Sequence, residues 1–204
     1  DYSTVEDPGY EPVRRLTHIE FSNTIRDLLG LDMNLVADFP IDLSGKSGFD
    51  NSANTLFLQP ILMERYLGAI DKAGEAAAPL KVAPNKKSPV FVAWPSDEGE
   101  EPEAARKIIN RFLLRAFRRP PTKHEEGEVR TIYDRSREKG ESFAMGMRRA
   151  LGAALVSPAF LLKSEQAKDT DESYRVDEYE LASRLSYFLW ASMPDDELFR
   201  LAAE

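Results

Sequence analysis

Apolar residues recur at helical spacing along most of the chain. After Leu16-Thr17-His18-Ile19-Glu20-Phe21, positions Phe21, Ile25, Leu28 and Leu29 fall on one helical face. Thr17 is placed to accept from the Glu20 amide while Glu20 reaches back to Thr17, a reciprocal capping box. Leu16 and Phe21 sit at the staple positions on either side. Gly30 supplies a left-handed stop. Pro60 suits the first turn of a second helix, with Leu62, Tyr66, Ile70 and Ala73 on one face. Pro102 opens a third, whose stripe is Ile108, Phe112, Leu113, Ala116 and Phe117 and whose stop is Arg118-Arg119-Pro120-Pro121. Thr122-Lys123-His124-Glu125 is a second capping box, and Gly140 ends the helix after it. Phe143, Met147, Leu151 and Leu155 mark a fifth helix before Ser157-Pro158. Asp177-Glu178-Tyr179-Glu180 repeats the cap-plus-acid pattern ahead of Leu181, Leu185, Phe188 and Leu189, whose expected place is the core. Pro194 ends that helix and a seventh follows.

Between these helices lie two breaks. Residues 31–58 form a long loop whose Phe39, Phe49, Leu56 and Phe57 suit pinning to the core. Residues 79–101 carry Pro79, Pro84, Pro89 and Pro95 and close on Asp97-Glu98-Gly99-Glu100-Glu101, a proline-rich, acidic linker expected on the surface. Val90–Trp94 within it reads as one edge or isolated strand. The pattern predicts an all-α protein, an irregular bundle of about seven helices with one long structured loop. It divides into an N-terminal helical domain (12–78), the linker (79–101), a second helical domain (102–165) and the start of a third, truncated one (175–204). Residue 1 is Asp1, and 195–204 reads as a helix without a stop signal, so a fragment of a longer polypeptide is expected.

Composition narrows the classes. The 204 residues are 42% hydrophobic, too apolar for a disordered chain, and no run of about 18 apolar residues offers a membrane span. There is no cysteine, which excludes disulfides, thiolate metal sites, a cysteine nucleophile and covalent c-type haem in this chain. The net charge of −8 argues against a nucleic-acid partner.

Candidate chemistry is sparse. Gly45-Lys46-Ser47 mimics the end of a phosphate-binding loop, but position 40, where the motif needs Gly, is Pro. Asp38, Asp42, Ser44, Asp50, Asn51 and Asn54 offer oxygens suited to calcium, without the spacing of a calcium loop; turn formation explains them more simply. His18 and His124 lack partners at metal-binding spacing and read as solvent-facing first-turn residues. Arg111, Arg115 and Arg118, with Arg119 one turn beyond Arg115, form a basic face suited to a partner or to ion pairs with 97–103 or 195–197. Trp94, in the linker, is a candidate interface or glycan-stacking residue, with packing as the equal alternative. No triad, G-x-S-x-G or S-x-x-K motif is present, and no catalytic or metal-binding residue is assigned.

Three blocks carry a family resemblance. The first runs from Val13-Arg14-Arg15-Leu16-Thr17 through Phe21-Ser22-Asn23-Thr24-Ile25-Arg26-Asp27-Leu28-Leu29-Gly30 to Phe39-Pro40, Gly48-Phe49-Asp50-Asn51 and Leu62-Met63-Glu64-Arg65-Tyr66-Leu67. The second is Phe112-Leu113-Leu114-Arg115-Ala116-Phe117-Arg118-Arg119-Pro120 with Leu155-Val156-Ser157-Pro158-Ala159-Phe160-Leu161. The third is Tyr179-Glu180-Leu181-Ala182-Ser183-Arg184-Leu185-Ser186-Tyr187-Phe188-Leu189-Trp190 with Ser192-Met193-Pro194-Asp195-Asp196-Glu197-Leu198. In this order the chain resembles the planctomycete cytochrome-associated domains of unknown function, found in large secreted bacterial proteins that often carry a c-type cytochrome domain. The resemblance implies an extracytoplasmic, helical, multi-domain protein tied to redox or polymer-processing systems. It transfers no catalytic residue. Any haem would belong to a neighbouring domain or subunit, or be held without covalent links, because C-x-x-C-H is missing. Within that pattern, Asp50 or Asn51 is expected to fold back onto the first helix as a structural clamp through Arg15 or Arg26. The functional expectation is a non-catalytic assembly module with protein partners, a c-type cytochrome among them. The alternative is a fragment of a secreted oxidoreductase or polysaccharide-active enzyme.

Overall fold

The helical periodicity is realised almost throughout. The computed structural model describes residues 13–42, 56–77, 89–163, 165 and 175–204. A two-residue strand, β1 (Arg14–Arg15), leads into α1 (His18–Leu29), and α2 (Pro60–Ala77) and α3 (Glu101–Phe117) follow. Next come α4 (Lys123–Glu138), α5 (Phe143–Leu155), the single turn α6 (Pro158–Leu161) and β2 (Leu162–Lys163). The described chain ends with α7 (Glu178–Trp190) and α8 (Asp196–Ala202). The class is all-α: among the described residues the only sheet is the antiparallel pair β1–β2. Val90–Trp94 is not a strand. Its Val90 and Phe91 turn into the core instead of lying on the surface.

Local chemistry sets the helix ends. At α1 the Thr17 hydroxyl accepts from the Glu20 amide (3.1 Å), and the Glu20 carboxylate accepts from the Thr17 amide (2.8 Å). Thr122 with Glu125, and Asp177 with Glu180, repeat this box at α4 and α7. Each box occupies two amides that helix geometry leaves without partners. Gly30 stops α1 with φ +70°, and its amide donates to the Arg26 carbonyl. A side chain there would also meet Pro89: an added Cβ would lie 2.9 Å from Pro89 Cγ.

The buried apolar side chains of α1 to α6, with Tyr187 and Met193, form one hydrophobic cluster. At its centre Phe21 lies 4.7 Å from the Tyr66 ring and 6.1 Å from Phe160, centroid to centroid. The Leu16 amide, just after β1, donates to the Leu161 carbonyl (3.0 Å), so the entry to α1 is stitched to the exit of α6. α4 and α5 approach closely at Gly146, where a Cβ would lie 3.0 Å from the Tyr133 ring. Among the described residues, no helix is long and apolar enough to cross a membrane.

Candidate functional site

Two polar constellations and one apolar surface stand out. The first gathers at the start of α1. Arg15 is buried, and its guanidinium donates to the Leu16 carbonyl (2.9 Å), the Phe57 carbonyl (3.2 Å) and Asp42 Oδ1 (2.5 Å). The other Asp42 oxygen accepts from the His18 amide (2.8 Å). One carboxylate therefore closes loop 31–42 onto both a buried cation and the first amide of α1, where the helix dipole also favours negative charge. The His18 ring follows it inward and packs edge-on against Phe39 (5.1 Å). Its Nε2 stands 3.2 Å from Asp42 Oδ1 but out of hydrogen-bonding alignment, and is buried without a partner. The Tyr66 hydroxyl is likewise buried, beside the Arg15 guanidinium.

These environments fix protonation. Burial lowers the His18 pKa; the Asp42 carboxylate opposes this and the Arg15 charge adds to it. Burial pushes the Tyr66 hydroxyl up to about 12, so it stays a neutral phenol at physiological pH. Burial is the strongest influence on Glu20 and works against its ionised form, but the hydrogen bonds from Arg14 at 2.7 and 2.8 Å, the Arg14 charge, the Thr17 amide and the Lys163 charge together outweigh it and hold the carboxyl below its usual range.

The second constellation centres on Arg118. It is only 6% exposed and ends α3 in the left-handed conformation, φ +61°. Its guanidinium donates to the carbonyls of Ala159 (2.9 Å), Phe160 (3.1 Å) and Leu162 (2.9 Å). These are the carbonyls that the short helix α6 leaves open at its end. The Arg118 guanidinium also lies 5.8 Å from the Tyr187 ring centroid, and the Tyr187 hydroxyl pairs with Thr24 at 2.9 Å.

The third feature is the outer face of α7. Its inward face carries Ala182, Ser186 and Tyr187. Its outward face carries Leu181, Leu185, Phe188 and Leu189, with Phe188 85% and Leu189 64% exposed. The apolar side of the helix thus points to solvent. Polar contacts hold it in this sense: Asn23 Nδ2 donates to the Ala191 carbonyl (3.2 Å), and the Ser192 hydroxyl donates to Asp27 (2.6 Å). Arg115 of α3 pairs with Asp196 of α8.

The residues singled out by sequence fall into place unevenly. Arg15 is buried, and its guanidinium donates to Asp42. Asp50 and Asn51 lie outside the described residues. Arg26 lies on the surface and pairs with Asp27 and Asn23. The basic face of α3 does not survive intact. Arg111 is exposed, Arg115 reaches Asp196, and Arg119 makes a two-pronged pair with Glu125 (2.7 and 3.0 Å). Arg118 turns inside, because the helix ends there and the left-handed residue no longer continues the face. His18 is not solvent-facing as its first-turn position suggested; Asp42 and Phe39 cover it, whereas His124 is exposed. The stripe expected to be the core side of α7 is its exposed side. Trp94 is 39% exposed and packs against Phe91 (5.6 Å) and Phe143 (5.4 Å). Asp42 was missed as the partner of Arg15 and His18, since nothing local in the sequence links them. Among the described residues, no three His, Asp or Glu side chains gather as metal ligands.

The geometry therefore defines an all-α chain with polar clamps inside and an apolar helix face outside. Comparison with known proteins places it beside three families. Residues 14–79 match a family described as "Protein of unknown function (DUF1587)", residues 104–165 one described as "Protein of unknown function (DUF1595)", and residues 176–204 one described as "Protein of unknown function (DUF1592)". No curated protein and no solved structure matches the chain.

Proposed function

We propose that the chain is a non-catalytic helical assembly module that packs and orients a neighbouring domain or subunit. The observation that carries this reading is the outward apolar face of α7. An apolar helix face ordinarily packs against protein, and among the described residues nothing packs on this one. The polar contacts from Asn23, Asp27 and Arg115 fix the helix so that this face is offered rather than turned inward. We further propose an extracytoplasmic location and a c-type cytochrome as the neighbour, with any haem held by that neighbour. This finer reading is supported by the resemblance of the three sequence blocks to cytochrome-associated domains. The test is photo-crosslinking from position 188 in the native polypeptide, in its producing cell. The expected product is one crosslinked species in the extracytoplasmic fraction that stains for haem and disappears in Leu185→Asp. Absence of any crosslink from position 188 overturns the assembly role; a haem-free crosslink overturns the cytochrome assignment alone.

A second reading, part of an oxidoreductase or polysaccharide-active enzyme completed by other residues, is favoured by one observation. His18 Nε2 and the Tyr66 hydroxyl are both buried beside Arg15 and Asp42. Under this reading Tyr66→Phe abolishes turnover of the native polypeptide while leaving its fold intact.

A further inference from the structure

Loop 31–42 closes over α1 through one carboxylate and one aromatic ring, and both meet His18. Asp42 Oδ2 accepts from the His18 amide (2.8 Å), and Oδ1 accepts from Arg15 (2.5 Å). The imidazole Nε2 stands 3.2 Å from that same Oδ1 without a hydrogen bond. Phe39 meets the ring edge-on at 5.1 Å and also reaches Tyr66 (5.2 Å) and Phe21 (5.9 Å). Covered by Phe39 and Asp42, the His18 side chain is only 13% exposed.

A neutral imidazole fits this place and a cation does not. Arg15 already neutralises Asp42, so a proton on His18 sets two cations against one carboxylate oxygen and leaves a net positive charge inside. His18 is also the first residue of α1, where the positive end of the helix dipole disfavours a cation. Among the described residues, the charges acting on the ring are those of Asp42 and Arg15. Tyr66 of α2 is a phenol held neutral. Glu20 of α1 is taken up by Arg14 and the Thr17 amide. Asp32 and Asp38, on the same loop, are exposed. A protonated ring therefore gains its missing solvation from water, and water reaches it only when Phe39 and Asp42 move away.

We propose that His18 is an acid-operated latch: protonation of its ring releases loop 31–42 from α1 and uncovers Phe21 and Tyr66. The latch goes beyond the assembly reading and is independent of it. The test is amide hydrogen exchange of the full chain at about pH 7.5 and about pH 5.0, on either side of the usual histidine pKa, with each rate corrected for intrinsic exchange at that pH. The reporters are the His18 amide, which donates to Asp42, and the Phe39 amide, which donates to the Val36 carbonyl (3.1 Å). The Ile25 and Leu113 amides, in α1 and α3, report on the core. A ring released to solvent titrates near 6.5 and the closed ring lower, so opening grows by up to about tenfold per pH unit between the two values. Protection at His18 and Phe39 is expected to fall at least about fivefold between the two conditions while Ile25 and Leu113 keep theirs. His18→Gln and His18→Phe, whose side chains take up no proton, should each show equal reporter protection in both conditions. Unchanged protection in the wild type overturns the latch. So does increased protection in acid, which would mean that the cation tightens on Asp42. A fall shared by Ile25 and Leu113 assigns the change to the whole fold, and an equal fall in the folded His18 variants assigns it to another group; each of these also overturns the latch.

Discussion

Asp42 ties three parts of this molecule together. It joins a buried guanidinium, the first amide of α1 and the turn that brings Phe39 over His18 and Tyr66. Removing it leaves Arg15 buried and without its counter-charge, the costly way to break a buried pair. Asp42→Ala should lower unfolding free energy by about 3–5 kcal/mol in urea titration. Arg118 makes a different demand. Three carbonyls in separate directions require a planar fork, which an ammonium on a flexible stem does not provide. Arg118→Lys should therefore destabilise by about 2–3 kcal/mol despite keeping the charge, because carbonyls remain unsatisfied in the interior. If urea midpoints for Arg118→Lys and wild type coincide, the clamp role is wrong.

At the level of elements, helix ends and close approaches carry the constraints. α1 must end at Gly30, because the residue there adopts φ +70° and rests against Pro89. Gly30→Ala combines left-handed strain of about 1–2 kcal/mol with a contact of 2.9 Å that forces Pro89 away. The expected result is a lower melting temperature together with loss of amide protection around Val90 and Phe91, read by hydrogen exchange. α7 shows that hydrophobic spacing says that a helix forms without saying which side faces inward. Ala182, Ser186 and Tyr187 fill the inner side because Thr24 and Arg118 meet the Tyr187 hydroxyl and ring.

At the level of the whole molecule, stability should fall with acid in two windows. His18 has a folded pKa below its usual value of 6.5, so its contribution is complete above that value and declines as pH drops through it. Glu125 is held at about 2, chiefly by its hydrogen bonds from Arg119. Glu20 is also lowered. Their contributions are complete above the usual glutamate value of 4.5 and decline below it, for Glu125 down to about 2. Melting temperature against pH should show a shallow decline beginning near 6.5 and a steeper one below 4.5. The shallow step should vanish in His18→Gln while the steeper one persists; a shallow step that survives would assign it to another group.

The amino-acid sequence by itself determined the helical class, the three capping boxes and the Gly30 stop. These rest on hydrogen bonds between residues three or four apart and on backbone preferences that need no distant partner. It also drew attention to Arg15, through its place beside the first helix, but it did not reveal the Asp42 partner, because Asp42 lies 27 residues further on. The same holds for Arg118, whose carbonyl partners lie 41 to 44 residues away and whose burial reverses its expected surface role. The exposed face of α7 follows from the same physics. Periodicity is symmetric between inside and outside, and only the tertiary anchors at Thr24, Asp27 and Arg118 decided which side of that helix the protein keeps for itself.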